Sequence, residues 1–456
     1  MKNKLLFLLF IQYGVVHSQA FKNLNLPSIE ISEQLPTRLE QSSTLLNDID
    51  VHNRPFKIQF YGQSIISGLN MERIEEKLNE RFPGVNFEIL KNSIGGYQAP
   101  VLKKTAHFDL YPEYPDLLIF HVYGGTKNGD LEEILCNIKS RLTSDVLIFD
   151  HHYSYEEDSI KQISRNIYQD GESQVLRDLT NKYGFGVIPV RKYWAEFLKL
   201  NPRYNIKDLL KDTIHPNDYG NQLLEHIILE GLFKAVAANK DKNFPSTHKV
   251  IEIKSSNQIK FEFTGNKVVL KPDSILIGST IDLRIDGKKP VAITELYRMT
   301  RPSSFSGQWW PAINKISLNS LVTPVNEVWK VKFYNIDVKN ESYMFKVFAD
   351  KSGYQGKGES GKDFTSANKE ISFKHEDISI FRGPIKETSL EESTIEFEVK
   401  NPYINNLTVH DSEEITLLQF SNNESHILEL NNSSGAFLNS QLIIYQPQQL
   451  DCVNVN

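Results

Sequence analysis

Two hydrophobic periodicities divide the chain. Between residues 56 and 240, short apolar runs alternate with amphipathic stretches. "FKIQFY", "VNFEIL", "DLLIFHV", "DVLIFD" and "FGVIPV" predict strands, several of them nearly continuous in apolar residues. Such runs suit strands covered on both faces of a parallel sheet. Between them, Met71, Ile74, Leu78 and Phe82 recur at three or four residues, as do Leu131, Ile134, Leu135, Ile138 and Leu142. These are the buried stripes of amphipathic helices. Strand and helix in alternation predict a doubly wound α/β domain over residues 55–240, because parallel strands need crossover connections.

From residue 246 to residue 456 the period changes to two. Ile259, Phe261 and Phe263 alternate with Lys260 and Glu262, and Trp329, Val331 and Phe333 alternate with Lys330 and Lys332. "SYMFKVF", "IEFEV", "ITLLQF", "ILEL" and "QLIIY" continue the pattern between Asn- and Gly-rich turns. An all-β sandwich or jelly roll is predicted there. The polar stretch "AANKDKNFPST" (237–247) reads as a linker. Residues 21–54 form an N-terminal extension with scattered apolar residues and no firm period.

Length and charge narrow the classes. A chain of 456 residues exceeds one ordinary domain. The net charge of −6 and the lack of any Lys/Arg-dense stripe argue against a nucleic-acid partner. Residues 1–20 have a secretory pattern: Lys2 and Lys4, then the apolar run from Leu5 to Val16, then Ser18-Gln19-Ala20. A secreted or periplasmic protein is expected, starting near Phe21 and with no membrane span in the mature chain. Cys136 and Cys452 are too few for a disulfide framework or a cysteine metal site. Cys136 falls off the apolar face of its predicted helix, and a bond between the two stays open.

Reactive residues cluster after the strands, where open parallel sheets bind ligands. The first strand runs into Gly62-Gln63-Ser64. Serine needs a base to become a useful nucleophile. "DTIHPN" supplies Asp212 and His215 at a three-residue spacing, which lets a carboxylate orient an imidazole. By itself that spacing also suits a helix-capping loop, with Asn217 or Asp218 as the cap. "NSIGG" after the second strand offers a Gly95-Gly96 turn whose N–H groups suit a developing oxyanion.

In order and placement these blocks resemble the SGNH hydrolases, or GDSL-type esterases, over residues 56–235. The resemblance implies Ser64 as nucleophile, His215 as base and Asp212 as its orienting acid, with no cofactor and no metal. It also implies an oxyanion hole from the N–H groups of Ser64 and Gly96. The family's third block donates an Asn side chain. Here "YGGTKNGD" has Thr126 at that place, and Asn128, two residues on, is the expected donor. An exported member joined to a β-sandwich looks like a carbohydrate esterase that deacetylates polysaccharides, with an acylated carbohydrate as its partner. Lipid or other acyl-ester hydrolysis is the alternative within that chemistry. A degenerate glycan-binding or adhesion protein is the alternative outside it.

Other residues have plainer readings. Asp150, His151 and His152 end the fourth strand, and the two histidines are expected to line the cleft rim rather than hold a metal. His121 is expected to be a satisfied core histidine. Trp309 and Trp310 are candidate sugar-stacking residues, one expected exposed and one in the core. Asn340, Asn406, Asn423, Asn431 and Asn432 stand in glycosylation sequons.

Overall fold

The computed structural model describes residues 24–47, 54–240, 242, 248–253, 256–383 and 392–452. The secretory pattern of residues 1–20 and most of the linker's second half lie outside the described residues.

Five strands form the first sheet: β1 (Phe56–Gly62), β2 (Phe87–Ser93), β3 (Leu117–His121), β4 (Asp145–Phe149) and β5 (Gly186–Ile188). All neighbours are parallel, in the order β2-β1-β3-β4-β5. The chain therefore winds one way from β1 to β2 and the other way from β3 onward. A crevice opens at that reversal, beyond the carboxyl ends of β1 and β3. Strands β1, β3 and β4 are almost wholly buried, whereas β2 is an edge with polar positions.

Helices cover both faces: α1 (Glu40–Asn47), α2 (Ser64–Gly68), α3 (Met71–Arg81), α4 (Ala99–Asp109), α5 (Asp130–Arg141), α6 (Ser159–Lys182), α7 (Val190–Leu200) and α8 (Asp218–Ala237). The apolar stripe of α3 buries Ile74 and Leu78. In α8 the whole circumference is rich in buried apolar residues, because it lies between the sheet, α7 and α1. The extension of residues 24–47 packs on this same layer, with Ile29, Leu35, Leu39 and Leu46 in its core.

The rest is antiparallel and has two parts. Strands β6 (His248–Glu252), β7 (Gln258–Lys271), β8 (Thr280–Ile285), β17 (Asn406–Thr408), β18 (Ile415–Asn432) and β19 (Gln441–Tyr445) form one six-stranded sheet. Between β8 and β17 a sandwich is inserted. Its larger sheet holds β9 (Arg298–Met299), β11 (Glu327–Asp337), β12 (Ser342–Ala349), β13 (Gly353–Glu359) and β16 (Glu392–Lys400). The smaller sheet holds β10 (Ser317–Leu318), β14 (Phe364–Thr365) and β15 (Ile371–Phe373). Trp329, Val331, Phe333 and Phe345 on the larger sheet meet Phe364, Ile371 and Phe373 on the smaller.

Both antiparallel parts dock on the α/β layer. Val269 and Tyr445 of the six-stranded sheet share a core with α4 and α5. Arg54 pairs with Asp116 and with Glu414 of the segment before β18. Cys136 on α5 forms a disulfide with Cys452 of the C-terminal tail. Cys136 is buried, contrary to its place off the predicted apolar face, because the tail covers that side of the helix.

Candidate active site

The end of β1 is shaped by its neighbour. Gly62 pairs with His121 across the ladder and has φ +151°, outside the usual range of L-residues. A Cβ there would stand 2.1 Å from the His121 carbonyl oxygen. Only glycine lets the chain turn at this point, and the turn places Ser64 at the first position of α2. The Ser64 N–H, at a helix start, has no intrahelical acceptor.

His215 approaches from the loop before α8. Its Nε2 lies 3.0 Å from Ser64 Oγ, and its Nδ1 lies 2.8 Å from Asp212 Oδ2. Because Asp212 is an acceptor, Nδ1 carries the proton and Nε2 turns its lone pair toward the serine hydroxyl. The three-residue spacing works through the backbone. Asp212 Oδ1 accepts the N–H groups of Ile214 at 2.8 Å and His215 at 2.7 Å. The loop is thereby curled around its own carboxylate. Burial raises the Asp212 pKa, but these N–H bonds and the imidazole outweigh it and hold the group at about 2. Asn217 caps α8 by accepting from Gly220 N–H, so the capping and orienting roles of this loop coexist.

Gln63, read in the sequence only as part of the turn that leads to Ser64, also faces the serine. Ser64 Oγ lies 3.1 Å from Gln63 Oε1, while Gln63 Nε2 donates to the Tyr123 carbonyl at 3.1 Å. The serine proton thus has two acceptors in reach, the amide oxygen and the imidazole.

The Gly95-Gly96 turn lies beside them. A Cβ on Gly95 would stand 3.9 Å from Ser64 Cβ, and Gly96 has φ +78°. Among the described residues the Gly96 N–H has no acceptor, so it is free to donate to a ligand. The turn is overhung by the inserted sandwich. Trp310 Nε1 donates to Gly95 O at 2.6 Å, Trp309 Nε1 to the same oxygen at 3.3 Å, and Arg382 Nη2 to Gly96 O at 3.0 Å. Trp309 is 63% exposed, while Trp310 is partly buried and packs against the core beneath α4. Arg382 carried no signal in the sequence; it lies 286 residues from Gly96.

Asn128 is exposed, and nothing among the described contacts ties it to the serine. Thr126 is buried with its N–H on Glu172, so that position faces α6 rather than the turn.

The histidine that ends β3 and the two that follow β4 are buried. His151 and His152 are buried, each 1% exposed, which corrects their expected place on the cleft rim. The chain turns inward after β4 because Asp150 is held by Arg177 and by the N–H of Arg191. His152 Nε2 donates to the Ile214 carbonyl at 2.6 Å and so supports the His215 loop from below. Burial holds His152 at about 4 and His121 at about 3, so both are neutral. His121 Nδ1 donates to the Phe149 carbonyl at 2.9 Å and its ring stacks on Phe149. Its Nε2 has no partner among the described residues, so it is only half satisfied.

No family model and no curated protein matches the chain. Among solved structures, it is similar to a GDSL-like lipase from Parabacteroides merdae, with 17% identity and a TM-score of 0.36, over 40% of this chain and 98% of that one. It is similar to an acetyl xylan esterase at 20% identity and a TM-score of 0.34, over 39% of this chain and 99% of that one. It is also similar to a two-domain esterase active on acetylated mannans, at 13% identity and a TM-score of 0.37, over 91% of this chain and 96% of that one.

Proposed function

We propose that the protein is a serine ester hydrolase that removes acetyl groups from a polysaccharide or oligosaccharide. The observation that carries this reading is the 3.0 Å approach of His215 Nε2 to Ser64 Oγ, with Nδ1 held by Asp212. A glycan-binding module has no use for a nucleophile and base at hydrogen-bond distance, whereas acyl transfer requires them.

In this reading Ser64 Oγ attacks the ester carbonyl while His215 Nε2 takes its proton. The Ser64 and Gly96 N–H groups receive the tetrahedral oxyanion. Collapse breaks the bond to the sugar oxygen, which leaves with the proton from His215. Water then attacks the acyl-serine, His215 takes a water proton, and acetate departs as Ser64 recovers its own. Asp212 remains ionised throughout and stabilises the imidazolium. Asn128, exposed on the loop after β3, is the candidate for a third donor.

The carbohydrate part of the proposal rests on Trp309. Its exposed ring stands beside the Gly95 turn, and an indole face suits the apolar C–H face of a pyranose. Trp310, more enclosed, forms the inner wall. Export follows from the secretory pattern of residues 1–20, and no helix among the described residues is long and apolar enough to cross a membrane.

Acetate release from acetylated xylan and mannan, with Ser64→Ala beside the parent, tests the reading. Serine-dependent release supports it. A parent that hydrolyses only long-chain or lipid esters would replace the carbohydrate with a lipid substrate.

A further inference from the structure

The two carbonyls of the Gly95-Gly96 turn are both taken up by the inserted sandwich, from residues more than two hundred positions away in sequence. The peptide joining Gly95 to Gly96 is planar and trans, so its C=O and N–H point in opposite directions. Holding the Gly95 oxygen therefore fixes the direction of the Gly96 N–H. Accepting a hydrogen bond at the carbonyl also polarises the same peptide and strengthens its N–H as a donor.

The turn has little stiffness of its own, being two residues without side chains. The clamp is held by contacts of its own. The Arg382 guanidinium lies 4.6 Å from the Tyr97 ring centre and 5.6 Å from that of Trp310, so cation and rings hold one another. Trp310 is pressed against the backbone at Gly383, where a Cβ would stand 2.3 Å from its ring.

We propose that the inserted sandwich completes the oxyanion hole: Trp310 and Arg382 are positioning residues that aim the Gly96 N–H at the reacting oxygen. This rests on the reading of Ser64 as the nucleophile. It means that the insertion is needed for ester hydrolysis itself, including esters that carry no sugar.

The test uses the full chain and para-nitrophenyl acetate, which offers nothing for a sugar platform to hold. Trp310→Phe keeps an aromatic ring and loses the N–H. Its kcat should fall about tenfold with KM nearly unchanged, the signature of an interaction made in the transition state. Phosphonylation of Ser64 by a fluorophosphonate, followed by intact mass, should slow by a similar factor. Arg382→Lys, which keeps a donor, should recover much of the kcat lost in Arg382→Ala. This pair decides the matter by the same split if Trp310→Phe does not fold. Parental kcat and labelling rates in these variants would overturn the proposal while leaving the serine esterase intact. A kcat that falls only in step with the melting temperature would likewise reduce the clamp to a packing role. A folded parent that neither hydrolyses the ester nor reacts at Ser64 would remove the serine reading, and the proposal with it.

Discussion

The carbonyl of His121 occupies the space where any side chain on Gly62 would begin, 2.1 Å from an ideal Cβ. The two residues are partners in the parallel ladder, so neither can retreat without breaking the pairing of β1 with β3. This contact explains why the strand ends on glycine and how Ser64 is lifted clear of the sheet.

Gly62→Ala should therefore destabilise the protein by about 3 kcal/mol or more, through both the clash and the unfavourable φ. Urea unfolding of the variant gives the number. The surviving folded fraction should show reduced kcat, since relief of the clash displaces Ser64. A variant as stable as the parent would mean that β1 and β3 separate easily here.

Asp212 keeps its charge down to about pH 2, because the N–H groups of Ile214 and His215 and the imidazole offset its burial. Asp212 should then add no protonation of its own to the acid limb of the pH–rate profile on mild acidification. Asp212→Asn should lower kcat by about a hundredfold or more, by freeing the ring to take the wrong tautomer. Folding should be little changed, since the side chain is half exposed. The pH–rate profiles of parent and variant check both points. A protonation step above about pH 4 that disappears in Asp212→Asn would contradict the assignment.

Much of this site was legible because each part is local. Ser64 follows its strand by two residues, and Asp212 and His215 share one curled loop, so spacing and strand placement point to them. The clamp was not legible. Trp310 and Gly95 lie 215 residues apart, and no periodicity relates them. The insertion of one antiparallel unit into another was hidden for a related reason: both use period two, so the pattern does not change where β8 gives way to β9. The helix α6 also escaped notice, because Ile160, Ile163 and Ile167 are exposed on it and its buried face is largely polar.

The Cys136–Cys452 disulfide ties α5 to the tail across 316 residues. Cys452→Ser should lower stability by about 2–4 kcal/mol, chiefly by freeing the unfolded chain. Because Cys452 contacts Ser140 and Leu450 and none of the residues that touch Ser64, kcat should be unchanged. Thermal melts and initial rates measured together check this; a large loss of kcat in a folded variant would contradict it.

Asp145 accepts the Ser42 N–H at 2.6 Å, and burial drives its pKa up to about 7 against that bond. The folded state thus keeps a proton that the unfolded chain releases above its ordinary value of 3.8. Its stabilising contribution is full below that value and is lost as pH rises toward 7. Asn at this position has no proton to lose. The stability of Asp145→Asn relative to the parent should therefore rise from pH 4 to pH 7, by at most about 1.4 kcal/mol per pH unit. A difference independent of pH, measured by urea midpoints, would contradict the burial of a protonated carboxyl.

The measurement closest to the central claim is hydrolysis of para-nitrophenyl acetate by the parent and by Ser64→Ala, both verified as folded. The account predicts steady turnover by the parent and a loss of about a thousandfold or more in the variant. Equal rates in the two proteins would contradict Ser64 as the nucleophile.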